Sequence, residues 1–288
     1  MRSFRPLLCL CAALPLALAA CGDDDDDLGG GGAPGKVAFT TYGEDYIEQQ
    51  IPASDVEDGW VITYEKFLIA LGNVKVATEA GDVGGQANGL TLFNMKAPGD
   101  KAVASFDLAA RTWDAVSYQI GPYDAATALG PGATEADRAF FTAPNASVYV
   151  AGSAAKGGVT KTFKWLFAKP TAFELCEGEK DTRFVVGAVV TAGATDEIQL
   201  TIHGDHLFYD DLQSPDAVLR FDPIAAADAN NDNEVTLDEL RAVKLADLTV
   251  GTYGTGSANV NDLGAFVEAL SQTVGHFRGE GECKSKSL

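Results

Sequence analysis

The chain of 288 residues carries 41 acidic against 21 basic side chains, a formal net charge of −20 at pH 7, 46% hydrophobic residues and five cysteines. So negative a surface argues against nucleic acid as a partner. It suits the binding of cations, and it is equally a common solubility device.

Residues 1–20 read as a secretory signal. Arg2 and Arg5 precede an apolar run from Leu7 to Ala20 that is too short to span a bilayer as a stable helix. The run ends in "LAAC", which resembles the signal of bacterial lipoproteins; the resemblance implies that Cys21 is lipidated and anchors the mature chain to the membrane. Gly22, where aspartate would be the alternative, points to the outer membrane, with the protein facing the periplasm or the cell surface. Residues 21–35 contain the acidic block Asp23 to Asp27 and a glycine run, with almost no apolar side chain to bury, and are expected to form a tether. Removing residues 1–20 takes away two arginines and no acid, leaving 41 acidic against 19 basic residues and a charge of −22.

Residues 36–212 follow a strand pattern. In "WVITYEKFLIALGNVKVAT" apolar residues alternate at Trp60, Ile62 and Tyr64, then change phase to Phe67, Ile69 and Leu71, as a β-bulge requires. Further short runs rich in Val, Thr, Phe and Tyr are separated by Gly, Pro, Asp and Asn. They predict a mainly β fold: an antiparallel β-sandwich of about eight or nine strands. No run is followed by a long helical pattern, so a parallel α/β sheet is not expected.

The last of these runs ends in "TIHGDHLFYDDL", which holds two of the three histidines. His203 and His206 flank a Gly-Asp turn, with Asp205, Asp210 and Asp211 beside them. Imidazole and carboxylate together form the ligand set of a copper or zinc site. The competing account is one histidine satisfying a buried hydrogen bond and another on the surface. The segments "FLIALGNVKV", "FDLAARTWDAVSYQIGP", "AGSAAKGGVTKTFKWLF" with Cys176 following, and "IQLTIHGDHLFYD", in that order, resemble the copper-binding MbnP-like periplasmic proteins. The resemblance implies a secreted β-sandwich that holds copper through histidine, and it carries over to His203 and His206 alone. None of Trp60, Trp113 and Trp165 can be matched to the modified tryptophan of that family.

Residues 213–288 change to a helical period and are expected to pack on the sandwich. They contain, at 228–240, "DANNDNEVTLDEL", which resembles the twelve-residue calcium loop of the EF-hand. Asp228, Asn230 and Asp232 fill its first, third and fifth positions. Glu234 supplies a backbone carbonyl at the seventh, Thr236 stands at the ninth, and Glu239 provides the closing carboxylate at the twelfth. Asn233 stands where glycine is usual, and asparagine is the next-best residue for a positive φ. Thr236 and Glu239 also form a capping box that predicts a helix immediately afterwards. The alternative is an Asp/Asn-rich surface loop before a capped helix. In "NVNDLGAFVEALSQTVGHF", Val260, Leu263, Phe266, Val267, Leu270 and Val274 make one helical face, which places His276 in the last helix of an α-helical hairpin.

Once Cys9, Cys11 and Cys21 are set aside, Cys176 and Cys283 remain; in an oxidising compartment they are expected to form a disulfide, two thiolate ligands being the alternative. No nucleophile elbow, Walker loop, His-Glu-x-x-His or dinucleotide fingerprint occurs. The leading expectation is therefore a lipid-anchored, non-enzymatic metal-binding protein, with calcium at 228–239 and copper or zinc near His203 and His206. The alternative is a surface adhesion or glycan-binding module in which calcium is purely structural. The sequence names no protein partner.

Overall fold

A computed structural model describes residues 33–248 and 253–288. The signal 1–20, Cys21 and most of the 21–35 tether lie outside the described residues. No described helix is long and apolar enough to cross a membrane.

The described chain is mainly β. Its strands are β1 (Gly35–Gly43), β2 (Val61–Ala77), β3 (Val83–Gln86), β4 (Leu90–Asn94), β5 (Lys101–Leu108), β6 (Thr112–Trp113), β7 (Ala115–Ile120), β8 (Ala128–Leu129) and β9 (Val148–Lys156). They continue with β10 (Val159–Phe167), β11 (Thr171–Lys180), β12 (Arg183–Val186), β13 (Ala188–Val189), β14 (Thr195–Ile202), β15 (Glu234–Val235), β16 (Gly275–Phe277) and β17 (Glu282–Ser287). A four-stranded sheet has the order β16-β14-β1-β5. An eleven-stranded sheet runs β12-β11-β7-β2-β9-β10-β15, with β17 on β11, β3 and β4 on β2, and β8 on β4; β6 and β13 form a small third sheet.

The strand number thus exceeds the expected eight or nine, mainly because strands form outside the expected runs, among them β15, β16 and β17 in the segment expected to be helical. Nor is the pairing wholly antiparallel. β1 and β14 are parallel, as are β10 with β15 and β4 with β8. Long excursions of chain separate each of these pairs, so no tight hairpin dictates their direction.

β2 holds the structure together, pairing with β3, β4, β7 and β9. Its register against β9 shifts between Tyr64 and Lys66, the place where the apolar alternation changes phase. Both apolar sets are consequently buried: Ile62 and Tyr64 before the shift, Phe67, Ile69 and Leu71 after it. Phe39, Ile198 and Leu200 from the four-stranded sheet share one core with these residues and with Phe163 and Trp165 of β10. Leu68 on the other face of β2 packs in a separate cluster with Leu92, Phe141 and Tyr149.

Beyond residue 212 the helices are shorter than the periodicity predicts. They are α2 (Asp222–Ala226), α3 (Leu237–Ala242) and α4 (Leu263–Leu270), α1 (Asp45–Glu48) lying within the β1–β2 connection. α3 begins with the expected capping box of Thr236 and Glu239. α4 buries Leu263, Phe266, Val267 and Leu270, as the pattern requires. It ends there, and the next residues form β16 and β17. The extended helical reading of this segment, with His276 in the last helix, is corrected: His276 lies on β16, paired with Thr201 of β14. Gly275 explains the change, because a Cβ there would stand 2.9 Å from the Tyr118 hydroxyl and 3.0 Å from the Phe173 ring. The chain turns into the sheet where only glycine fits that approach.

Cys176 of β11 and Cys283 of β17 form the expected disulfide across 107 residues of chain. Closing a loop of that size stabilises by roughly 4–5 kcal/mol in the chain-entropy account.

Candidate metal centre

The parallel pair β1–β14 ends at Gly43 opposite Ile202, so the next residues of the two strands, Glu44 and His203, leave the sheet side by side. His203 Nδ1 lies 3.2 Å from Glu44 Oε2. On the other side of β14, β16 places His276 beside Thr201, and the His203 amide donates to the Val274 carbonyl at 2.9 Å. A 3₁₀ turn over Asp205–Phe208 then folds the chain back and brings His206 over the same point.

That turn is fixed by packing. Gly204 is obligatory, since a Cβ there would come within 2.5 Å of Ile47 Cγ1, and its carbonyl accepts the Tyr64 hydroxyl at 2.5 Å. Leu207 and Phe208 are fully buried behind it, and Phe208 lies against Tyr64 and Phe163. Their burial contributes roughly 1.5–3 kcal/mol each. A buried core thus clamps the turn from below while its polar residues face the strand ends.

All three histidines of the chain therefore converge. Ring centroids are 4.4 Å apart for His203 and His276, 4.9 Å for His206 and His276, and 5.2 Å for His203 and His206. Ligating atoms of His203, Asp205 and His206 lie within 4.8 Å of one another, as do those of His203, His276 and Glu280. Glu280 sits on the β16–β17 turn, which the Gly279 amide fastens to the Thr201 hydroxyl at 3.0 Å.

Two imidazoles of this cluster, His206 and His276, are held towards the neutral form. Burial, then the neighbouring His276 and His203, hold His206 down at about 3. Burial and then His203 lower His276 as well. Burial raises the carboxyl groups of Glu44 and Asp205, against the opposing pull of His203 on the first and of the Tyr209 hydrogen bond on the second. Neutral imidazole is the metal-binding form.

Hydrogen bonding leaves a gap at the centre. His203 Nδ1 is engaged by Glu44, and His206 Nδ1 lies 2.9 Å from the Thr273 hydroxyl. His203 Nε2, His276 Nδ1 and Asp205 Oδ1 are buried with no hydrogen-bond partner. Buried polar atoms are rarely left this way, and three within one side-chain cluster call for a partner. Outer contacts that orient ligating imidazoles, as Glu44 and Thr273 do here, are what a metal ligand needs. The residues present fit copper or zinc. A cleft of about 410 Å³ reaches His206 and His276 from outside, and its lining includes Asp211 and Glu282 and no lysine or arginine.

Asp210 and Asp211 do not join the cluster. Asp210 pairs with Arg220 at 2.7 Å, and Asp211 accepts the Gln213 and Ser214 amides. His276, Glu280 and Glu44 were missed from sequence because "TVGHF" continues a helical period; its β-branched pair followed by glycine was the available sign of a strand.

The loop 228–239 is arranged differently. Asn231 and Asn233 adopt left-handed φ values of 61° and 68°. Asn230 Oδ1 accepts the Asp232 amide, Asp232 Oδ1 accepts the Glu234 amide, and the Glu234 carboxylate pairs with Lys164 at 2.7 Å. Glu239 Oε2 accepts the Thr236 amide and hydroxyl, each at 2.9 Å, so its carboxylate caps α3. Asp228 Oδ1 is buried without a partner. The loop's carboxylates do not form a group like that of the histidines, whose ligating atoms all lie within 4.8 Å of one another. Val235 is fully buried, and its carbonyl accepts the Trp165 indole N–H at 2.9 Å.

No family model and no curated protein matches this chain. Among solved structures, MbnP from Methylosinus trichosporium is similar over 58% of this chain and 75% of that one, with 10% identity and a TM-score of 0.26. A likeness of that size assigns neither a residue nor a ligand.

Proposed function

We propose that this chain is a non-enzymatic metal-binding protein of the bacterial cell envelope that holds copper or zinc through His203, His206 and His276. Asp205 and Glu280 complete the donor set, and Glu44 and Thr273 orient the imidazoles from behind. The observation that carries this reading is the convergence of all three histidines, two of which, His203 and His276, each hold a buried ring nitrogen with no hydrogen-bond partner. Lipid on Cys21 anchors the protein, and the two larger sheets pack as the layers of a sandwich.

A second reading, calcium at 228–239, is favoured by one observation in particular: Asp228 Oδ1, the first ligand position of the loop, is buried with no partner. To close the shell, Glu239 must give up its cap on Thr236.

Metal analysis by mass spectrometry on protein purified without added metal, and on His203→Ala/His206→Ala, tests the first reading. Stoichiometric copper or zinc in the parent and its loss in the variant is the expected result. A parent that retains neither metal, even after incubation with each, overturns it. Calcium titration of the same two proteins tests the second reading; equal calcium binding by both is expected, and no binding by either removes it.

A further inference from the structure

The 228–239 loop already has a cation beside it, supplied by the sheet. Lys161 stands on β10, whose next residues Thr162 and Phe163 pair in parallel with Glu234 and Val235 of β15. Its ammonium lies 2.5 Å from Asp228 Oδ2 and 3.1 Å from Asn233 Oδ1. The same Oδ2 accepts the Asn233 amide at 3.0 Å. The side chain of Asp228 is 0% exposed and that of Lys161 13%.

These contacts account for asparagine at the loop's sixth position. At a φ of 68° glycine would relax the backbone, but glycine has no oxygen to offer the lysine. Asparagine tolerates the left-handed conformation and supplies that oxygen. Lysine and asparagine thus form one device that pins the loop to the sheet edge and neutralises its most buried carboxylate. The other oxygen, Oδ1, stays buried and unpaired, the state that a bound cation would resolve.

We infer that Lys161 is a tethered cation for this loop: it holds Asp228 in place when no divalent ion is bound, and it weakens the loop's affinity for calcium. The inference rests on the calcium reading given above. Affinity in such loops follows the net charge of the ligand set. The acids available are Asp228, Asp232 and Glu239, and the lysine cancels one of them. An ammonium bonded to one oxygen of a buried carboxylate repels an ion that meets the other oxygen, and screening there is incomplete. The Asn233 amide still orients Asp228 when the lysine is removed, so loss of charge outweighs loss of orientation.

Calorimetric titration with calcium chloride, together with melting in EDTA and in calcium, tests this on the purified parent, Lys161→Met, Lys161→Arg and Asn233→Gly. Lys161→Met should bind calcium about ten-fold tighter or more, a difference of about 1.4 kcal/mol. It should also melt below the parent in EDTA and recover in calcium. Lys161→Arg should behave as the parent, and Asn233→Gly, which removes one acceptor of the ammonium, should bind calcium more tightly by a smaller factor. Should Lys161→Met fail to fold in EDTA, the comparison of Asn233→Gly with Lys161→Arg decides. A parent that binds calcium with no gain in Lys161→Met or Asn233→Gly overturns the inference and leaves the calcium reading standing. An absence of calcium binding by every protein in the set overturns both.

Discussion

The histidine centre and the acidic loop are two answers to the problem of holding polar side chains inside a β-rich protein. In the loop, ligand-type residues are neighbours in sequence, and they satisfy one another: Asx contacts, a capping box and the Lys161 ion pair leave one buried oxygen unpaired. At the centre, residues from three separate stretches meet at the ends of β1, β14 and β16, and three buried atoms remain unpaired. Local residues can relax into local hydrogen bonds, whereas side chains projecting from a packed sheet cannot move to find partners. Unsatisfied polarity therefore collects at the histidines.

The largest test of this contrast is His276→Ala. Copper or zinc binding should fall by at least about 100-fold, the scale of losing a ligand rather than an outer contact, while the calcium response of the loop stays unchanged. Metal affinity within a few-fold of the parent would remove His276 from the centre and restore the sequence reading of a two-histidine site.

Removing the disulfide with Cys176→Ser/Cys283→Ser comes next. It should lower stability by roughly 4–5 kcal/mol in denaturant titration. It should also weaken metal binding at the histidines more than calcium binding at the loop, because β17 follows the turn that holds Glu280. Equal loss at both sites would show global loosening instead.

The smallest effect is on acid stability in EDTA. Folded His206 stays neutral down to about 3, whereas an unfolded histidine takes up its proton near 6.5. Between these values the unfolded state binds more protons, so stability is lost as pH falls from 6.5 towards 3. Asp228 is lowered below its ordinary 3.8, first by the Lys161 hydrogen bond, so the loop loses stability only as pH falls below about that value. Two acid limbs are expected in the pH dependence of urea unfolding, and His206→Gln should make the upper one shallower, leaving the part that the lowered His276 contributes. A parent curve level between pH 6.5 and 4 would contradict the buried, neutral imidazole.

Much of the fold was legible where the physical cause is local. The phase change at Tyr64 to Phe67 gave the bulge of β2, because side-chain direction alternates and only an extra residue can keep both sets inward. The Thr236–Glu239 capping box, the buried face of α4 and the pairing of Cys176 with Cys283 follow from similarly short arguments. The parallel alignment of β1 with β14 was not legible, since nothing in either strand's pattern fixes the direction of a distant partner. The end of α4 was misjudged for a related reason: Val274 continues the helical period, but close approach to Tyr118 and Phe173 requires Gly275 in a strand.

What the sequence determined by itself was the inventory: three histidines, an acidic loop of EF-hand spacing, two cysteines available to pair, and runs of alternating apolar residues. Each depends on composition or on contacts a few residues apart. The tertiary structure alone decided that His276 joins His203 and His206, that Glu44 and Glu280 stand beside them, and that Lys161 reaches Asp228. Those contacts span about 70 residues or more, and they depend on strand pairing and on the volume available beside Ile47, Tyr64, Tyr118 and Phe173.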